Sequence, residues 1–268
     1  MNDRLTEPST IAPQPSWPTW VARLTLISGV AVGGVALVSA LGIWVGLWDF
    51  RTGFALLRPA NSYAIWLAGL GLIITIGLFV FCRLRGIDNG TRISALAAVG
   101  TIAAALAYYI PMSYGPPDGV TFPPIHDVST DTVNPPEFIA VLPLRADSPN
   151  SVVYGEARNT THETLAEMQT KAFPDLVTVV INEPPDAVFQ RALAAINELG
   201  WELVTQVPEE GRIEATDTTF WFRFKDDVVI RIRPTAEGSA IDARSLSRVG
   251  LGDVGTNAKR LRAFFATL

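Results

Sequence analysis

The stretch from Leu24 to Trp48 reads LTLISGVAVGGVALVSALGIWVGLW, 25 residues without a charge. At about 1.5 Å of rise per residue, a helix of this length exceeds the roughly 30 Å hydrocarbon thickness of a bilayer. A cleaved signal peptide is the alternative, but the apolar core of such a peptide usually has only about 7 to 15 residues. The stretch therefore predicts a transmembrane helix.

Two further apolar runs follow the first one. The second lies between Arg58 and Arg83, and the third is rich in alanine and is followed by Pro111, which favours the end of a helix. We therefore expect a three-helix transmembrane region anchored in a lipid bilayer. Its predicted parts are a tail at 1–22 and a membrane region at 23–113, with spans at about 24–48, 61–82 and 93–110.

Small and aromatic residues in these runs have a structural interpretation. Gly29 and Gly33, then Gly42 and Gly46, repeat at a spacing of four residues, which lets neighbouring helices approach closely. We expect them to pack within the three-helix set, with dimerisation as the alternative. The aromatic rings at the span ends are typical of the headgroup zone, and they are Trp17, Trp20, Trp44, Trp48, Tyr108 and Tyr109.

The distribution of arginine predicts the orientation. The tail and the second loop share one side of the membrane and hold Arg4, Arg23, Arg83, Arg85 and Arg92, whereas the first loop holds Arg51 and Arg58. The side richer in Arg and Lys is usually the cytoplasmic one. After three crossings the C-terminal domain is then extracytoplasmic. We expect a multi-pass protein of the bacterial inner (plasma) membrane with a periplasmic domain.

Charge and composition disfavour several classes of function. Of the 26 acidic and 21 basic residues, 22 and 14 lie after residue 113, so this part has a net charge of about −8 and nucleic acid is an unlikely partner. No Asp, Glu, Lys, Arg or His lies within the predicted spans, which disfavours an ion path. A single cysteine, Cys82, excludes an intramolecular disulfide, and only two histidines, His126 and His162, are available for a metal site. We expect neither a metal nor a cofactor.

The rest of the chain predicts an extended segment and one globular domain. Residues 114–150 are rich in proline and predict an extended, irregular connection. Within it, the run from His126 to Asp131 contains a His, a Ser and two Asp, for which we expect turn and capping chemistry and not a catalytic triad.

Residues 151–268 predict an α+β domain, in which an antiparallel sheet holds one or two helices on one face, as in a helix-grip fold. A helix opens at Pro184-Pro185-Asp186 and ends at Gly200, and a second helix carries Leu261 and Phe264. The predicted strands are Val177–Asn182, Trp201–Gln206, Arg212–Asp217, Phe220–Phe224, Val228–Arg233 and Ala240–Val249.

Alternation along these strands predicts a face rich in arginine. If Lys225-Asp226-Asp227 is a hairpin loop, one face carries Trp221, Arg223, Arg231 and Arg233, to which the next strand adds Arg244 and Arg248. Two interpretations remain open. The face is solvated, with Asp242 and other acids neutralising the arginines, or it is a surface for an anion or a partner.

The run from Gly250 to Gly255 spells G-x-G-x-x-G, the dinucleotide-binding pattern. That fingerprint needs a parallel strand after the helix and an acid about 20 residues on, and neither follows in the sequence. We expect these glycines to permit positive φ, with Asp253 or Thr256 capping the last helix. Beside Arg244, Arg248 and Arg260, this helix start with Asp253 and Asn257 could hold a small anion.

The same region resembles a known family. The residues that carry the resemblance are Arg244-Ser245-Leu246-Ser247-Arg248-Val249-Gly250, Asp253-Val254-Gly255-Thr256-Asn257, Arg260, the run from Phe220 to Val228, Pro123-Pro124-Ile125-His126-Asp127 and Asn134-Pro135-Pro136. Together they are similar to the bacterial and plastid family called domain of unknown function 1499, in its membrane-anchored proteobacterial form, over roughly residues 122–266. Ala258-Lys259 stands where the resemblance implies a more basic pair. The resemblance implies a domain boundary and no established activity.

Three hypotheses of function follow. The first is a non-enzymatic envelope protein whose extracytoplasmic domain binds an envelope protein, a lipid headgroup or a cell-wall component. The alternative is a hydrolase or transferase acting on an anionic substrate at Asp253, Asn257 and the arginines, although no nucleophile or base is evident. In the third, the membrane bundle is the working part, which its uncharged spans disfavour.

Overall fold

The computed structural model describes residues 15–116, 119–156 and 163–268. Arg4 and His162 lie outside these described residues. The chain divides into two compact units, Met1–Tyr114 and Gly115–Leu268. Each unit has its own fold.

The first unit is a bundle of three helices. They are α1 (Trp17–Trp44), α2 (Phe50–Leu84) and α3 (Gly90–Met112). All three are long and apolar enough to cross a membrane, as the sequence predicts. Helix α2 begins well before its predicted span because the Asp49 carboxylate accepts a hydrogen bond from the amide of Thr52 at 3.0 Å, which caps the helix. Helix α3 continues one residue beyond Pro111.

Glycines allow α1 and α3 to meet at backbone distance. A Cβ added at Gly29 would lie 1.9 Å from the carbonyl oxygen of Gly100, and one added at Gly100 would lie 2.3 Å from that of Thr25. The expected packing of Gly29 within the three-helix set is confirmed. Gly46 has a different role, since its φ of 73° forms the turn after α1.

The second unit is an α+β domain built on a six-stranded antiparallel sheet, which confirms the predicted fold class. Strand β6 pairs with β1 and β2 on one side, and the sheet continues on the other side in the order β5, β4, β3. The strands are β1 (Asp127–Ser129), β2 (Val179–Ile181), β3 (Glu202–Val207), β4 (Arg212–Thr218), β5 (Lys225–Thr235) and β6 (Gly238–Ser247). The helices are α4 (Leu165–Ala172), α5 (Pro185–Glu198) and α6 (Thr256–Thr267).

Helices cover one face of the sheet. The apolar residues of α5 are buried, with Val188 and Phe189 in the core, and Leu261 and Phe264 of α6 are fully buried beside them. Gly200, at a φ of 73°, follows the end of α5. Strands β5 and β6 contribute Ile230, Ile241 and their neighbours of the same parity to this core.

An irregular segment covers the other face. We call residues 131–153 the strap. Its Phe138 and Val141 pack on Val229 and Leu246 of the sheet, and its only regular element among the described residues is a short 3-10 helix, Leu142–Arg145. Most of the strap lies in the predicted connection 114–150. The alternation in the sequence assigns the arginines of β5 and β6 to the correct face. Both open interpretations, a solvated face and a surface for an anion or a partner, left Arg244 uncovered, whereas it is buried beneath the strap.

The predicted hairpin with a loop at Lys225-Asp226-Asp227 is wrong. These three residues are the first three of β5, paired with Thr218, Asp217 and Thr216 of β4. The loop is instead Thr219–Phe224, closed by a hydrogen bond of 2.8 Å from the Thr219 amide to the Phe224 carbonyl. Two adjacent aspartates are typical of a turn, but here both are buried and bound by arginine, which stabilises them inside a strand.

Candidate functional site

The nine candidate residues of the sequence do not form one site. The structure places Arg231, Arg233, Arg244 and Arg248 under or beside the strap, Asp253, Asn257 and Arg260 at the start of α6, and Trp221 and Arg223 in the loop between β4 and β5. Each group has a distinct chemistry.

Arg244 forms a buried two-point ion pair. Its Nε and Nη2 atoms donate to the Asp127 carboxylate at 2.9 and 2.7 Å, and both residues are only 2% exposed. The same guanidinium donates to the strap carbonyls of Pro136 at 3.2 Å and Val152 at 2.7 Å, and it lies 5.0 Å from the ring centroid of Phe138. Arg244 therefore joins β1, β6 and the strap, and it is not accessible to a ligand.

Asp227 binds two arginines at once. Arg248 donates to its two oxygens at 2.9 and 2.8 Å, and Arg145 of the strap donates at 2.6 Å. Thr216 adds a hydroxyl hydrogen bond of 2.7 Å. Burial raises the pKa of Asp227, but the hydrogen bonds from Arg248, Thr216 and Arg145 outweigh it, so that the pKa lies below its usual value. Arg248 also donates to the strap carbonyl of Leu144 at 2.9 Å.

Glu214 holds the strap through backbone amides. Its fully buried carboxylate accepts from the amides of Ile139, Ala140 and Val141 at 3.1, 3.0 and 2.9 Å, and it also pairs with Arg212. Neither Glu214 nor Arg145 is among the residues that the sequence singled out. The alternation of β4 shows that Glu214 shares a face with Thr216, but no pattern in the proline-rich strap identifies its partners.

Asp242 neutralises Arg231 and Arg233, as the first of the two interpretations of the arginine-rich face proposed. Its carboxylate accepts from them at 2.9 and 2.6 Å and from the Thr178 hydroxyl at 2.6 Å. Burial raises the pKa of Asp242, and the hydrogen bonds from Thr178, Arg231 and Arg233 lower it further than burial raises it. Arg231 also donates to Asp131 at 3.0 Å. Its Nε atom is buried and has no hydrogen-bond partner among the described residues.

A shallow groove of about 220 Å³ opens beside Arg231. Charged and apolar residues both line it. Its lining residues are Asn134, Pro135, Pro136, Glu137 and Ile139 of the strap with Glu210, Arg212, Val229 and Arg231. Ile139 of this lining is 51% exposed, and two further aliphatic residues of the strap, Leu142 and Leu144, are 42% and 53% exposed, so the outer surface of the strap is partly apolar.

The start of α6 is a capped and crowded turn. Asp253 accepts from the amides of Gly255 at 2.8 Å and Asn257 at 2.7 Å, so that it caps the helix as predicted. Gly250 and Gly255 have the expected positive φ, at 100° and 77°. Burial raises the pKa of Asp253 above its usual value.

Arg260 and Asn257 are bonded within the domain. Arg260 pairs with Asp217 and Asp226 at 2.8 and 2.6 Å. Asn257 binds Ser245, the His126 carbonyl and Ser247 at 2.6, 2.9 and 2.9 Å. These groups support the connection between β6 and α6.

The chemistry available at these positions is ionic and structural. The buried carboxylates accept hydrogen bonds from arginine or from backbone amides, and Asp227 and Asp242 also accept from the Thr216 and Thr178 hydroxyls. Among the described residues no group of three His, Cys, Asp or Glu side chains could hold a metal ion. In the His126–Asp131 run, the Asp127 carboxylate forms an ion pair with Arg244.

The family comparison covers this same architecture. No curated protein matches the chain. A family model described as "Protein of unknown function (DUF1499)" matches residues 127–268, a range that begins at β1 and includes the strap, the sheet and α6. Since this range is more than half of the chain, the protein belongs to that family of unknown function.

Proposed function

We propose that this protein is a membrane-anchored envelope protein whose globular domain lies outside the cytoplasm and works as a non-enzymatic binding module. The observation that carries the proposal is the groove beside Arg231 and the apolar outer surface of the strap. The arginines and carboxylates of the family signature hold this surface in place from below. Their internal pairing leaves the groove and strap as the accessible feature of that face.

An envelope protein is the partner that this surface fits best. Exposed Ile139, Leu142 and Leu144 supply apolar area, and Glu137, Glu210 and Arg212 form a charged rim. An apolar patch bordered by polar groups is typical of protein interfaces. A lipid headgroup or a cell-wall component would bind chiefly through charge, and the two arginines of the groove are already paired, Arg231 with Asp131 and Asp242 and Arg212 with Glu210 and Glu214.

Site-specific photo-crosslinking in the native membrane tests this function. A photoreactive residue in place of Ile139 should give a discrete protein adduct, and the same residue in place of the exposed Ala236, in the turn between β5 and β6, should not. A second substitution, Leu144→Asp, should remove the adduct without unfolding the domain, because Leu144 is exposed. Equal labelling from positions 139 and 236 would contradict the proposal. Turnover of an anionic substrate by the purified protein would favour the enzyme hypothesis instead.

The proposed orientation has its own test. Arg23, Arg83, Arg85 and Arg92 lie at one end of the bundle by chain order, against Arg51 and Arg58 at the other, which supports a cytoplasmic second loop. A reporter active only outside the cytoplasm should work when fused after Leu268 and fail when fused after Gly86. The reverse pattern would place the domain inside.

A further inference from the structure

The groove beside Arg231 is acidic, although two arginines line it. Each of these arginines already binds two carboxylates. When the lining residues are taken together with the charged groups that they bind, five carboxylates surround three arginines, so the groove carries a net charge of about −2. These groups are Asp131, Glu137, Glu210, Glu214 and Asp242 with Arg212, Arg231 and Arg233. A cationic group is therefore the complementary ligand.

Glu137 is the carboxylate that a ligand can reach. Its side chain is exposed in the lining of the groove, and it pairs with no cation among the described residues. Glu210, in the turn before β4, is the second exposed carboxylate of the lining, and its side chain is 52% exposed while it binds Arg212 at 2.9 Å. A cation can therefore pair with Glu137 and lie near a second carboxylate without breaking an existing contact.

The strap is extended where Glu137 lies. Burial alternates along it, with Pro136 and Phe138 buried and Glu137 and Ile139 exposed. In an extended chain the amide and the carbonyl of one residue point to the same side, where they can pair with another extended segment. Neither of these two groups of Glu137 has a hydrogen bond to another residue that the structure describes. A short extended segment of another protein can therefore pair with the backbone at this position.

The size of the groove fits a side chain better than a small molecule. Its volume of about 220 Å³ lies below the roughly 300 to 1,000 Å³ that is typical of small-molecule pockets. Val229 lines it with a buried apolar side chain, and Ile139 adds apolar surface that is 51% exposed. Lysine and arginine carry a charge on an aliphatic stem, so either can cover apolar area and pair with a carboxylate at the same time.

Resting on the proposed function, we infer that the partner protein presents to the groove an extended segment with an exposed lysine or arginine. Its cation pairs with Glu137, and its aliphatic stem packs beside Ile139. The charge of this segment selects the partner against other proteins of the envelope, because an acidic segment would meet a groove of the same sign.

Charge reversal at Glu137 tests this inference through the crosslink at position 139. In the full chain in its native membrane, Glu137→Lys should reduce the yield of the protein adduct several-fold, and Glu137→Gln should reduce it less. Both variants should fold, because the Glu137 side chain is exposed and has no ion pair among the described residues. Glu198→Lys makes the same charge change at an exposed carboxylate at the end of α5, on the opposite face of the sheet, and should leave the yield unchanged.

The crosslinked peptide identifies the contact in the partner. Mass spectrometry of the adduct should locate a lysine or arginine within about four residues of the crosslinked position, since positions 137 and 139 are only about 7 Å apart in an extended chain. Replacing that residue of the partner with glutamate should remove the adduct of the unmodified groove. The same replacement should restore the adduct of the Glu137→Lys variant.

The outcomes separate this inference from the proposed function. A discrete protein adduct whose yield does not respond to Glu137→Lys would overturn the cationic segment and leave the binding module in place. A crosslinked segment without a nearby lysine or arginine would do the same. No discrete protein adduct at position 139, or an adduct to lipid alone, would overturn both.

Discussion

Replacing Arg244 with glutamine removes one partner from a buried ion pair. The change leaves the Asp127 carboxylate 2% exposed and deprived of two hydrogen bonds, at 2.9 and 2.7 Å. It also removes the donors to the carbonyls of Pro136 and Val152. Breaking a buried pair from one side typically costs about 3 to 5 kcal/mol, because the remaining charge stays desolvated. We expect a loss of that size in the free energy of unfolding.

Arg262 provides a matched control on the surface. It binds Asp175 through the same two-point geometry, at 2.6 and 2.7 Å, but the two side chains are 45% and 52% exposed. Solvent screens this pair, and exposed pairs contribute about 0 to 1 kcal/mol. Arg262→Gln should therefore change the free energy of unfolding by no more than about 1 kcal/mol. The two pairs share their residue types and two-point geometry, and they differ in burial and in the two carbonyls that Arg244 binds.

Denaturant unfolding of a fragment beginning at Gly115 measures both variants. We expect this fragment to fold cooperatively, because the unit Gly115–Leu268 encloses its own core. Trp201, stacked on Phe264 with ring centroids 6.0 Å apart, reports loss of that core by fluorescence.

A double variant tests the origin of the loss. Asp127→Asn with Arg244→Gln removes both charges, so its loss should be smaller than the sum of the single losses. If Arg244→Gln costs no more than Arg262→Gln, the buried-pair argument is refuted, and Arg244 returns as a candidate for ligand binding.

Three further predictions follow from individual contacts. The pKa values of Asp227 and Asp242 are lowered in the folded domain, so both carboxylates should stabilise it above the unfolded pKa of about 3.9 and cease to do so as the pH falls through their lower folded pKa values. Urea unfolding from pH 7 to pH 2 should show this loss in the free energy of unfolding. Asp227→Asn should make that free energy fall less steeply at acid pH. Glu214→Ala should speed hydrogen exchange at the amides of residues 139–141 and cost about 3 kcal/mol or more, whereas Glu210→Ala, which removes the exposed second partner of Arg212, should do neither. Gly29→Val should lower the melting temperature of the solubilised full chain, because its side chain meets the Gly100 backbone, whereas Gly34→Val enters open space and should leave it unchanged.

Periodicity accounts for the parts of the fold that the sequence predicts. The spans are long uncharged runs, and α5 and α6 carry apolar residues at helical spacing, so burial decides their position. Alternation in β5 and β6 correctly assigns Ile230 and Ile241 to the helix face and Arg231 and Arg244 to the other. These features depend on repeated patterns over several residues, which tertiary contacts reinforce.

The parts that the sequence did not predict depend on single long-range contacts. The alternation of side chains along a strand predicts which face a residue occupies but not what covers that face. The sequence therefore placed Arg244 and Arg248 on an outward face and did not predict the strap above them. The sequence predicted a turn at Asp226-Asp227, because the arginines that bind these carboxylates are distant in sequence. They are Arg260, Arg248 and Arg145. Strand β1 is only three residues long and carries no periodic signal.

The proline content of the strap explains why arginine supports it. A segment with Pro135, Pro136 and Pro143 lacks several backbone donors and cannot pair with the sheet as a strand. Its carbonyls still need partners when they are buried. Arginine supplies several donors from one planar group, so it can bind a sheet carboxylate and a strap carbonyl together, as Arg244 does with Asp127 and Pro136. Lysine places its three donors on one nitrogen and lacks the planar fork, so it could not reproduce the two-point pair with Asp127 together with the contact to the Pro136 carbonyl. The irregular backbone of the strap therefore favours arginine at position 244.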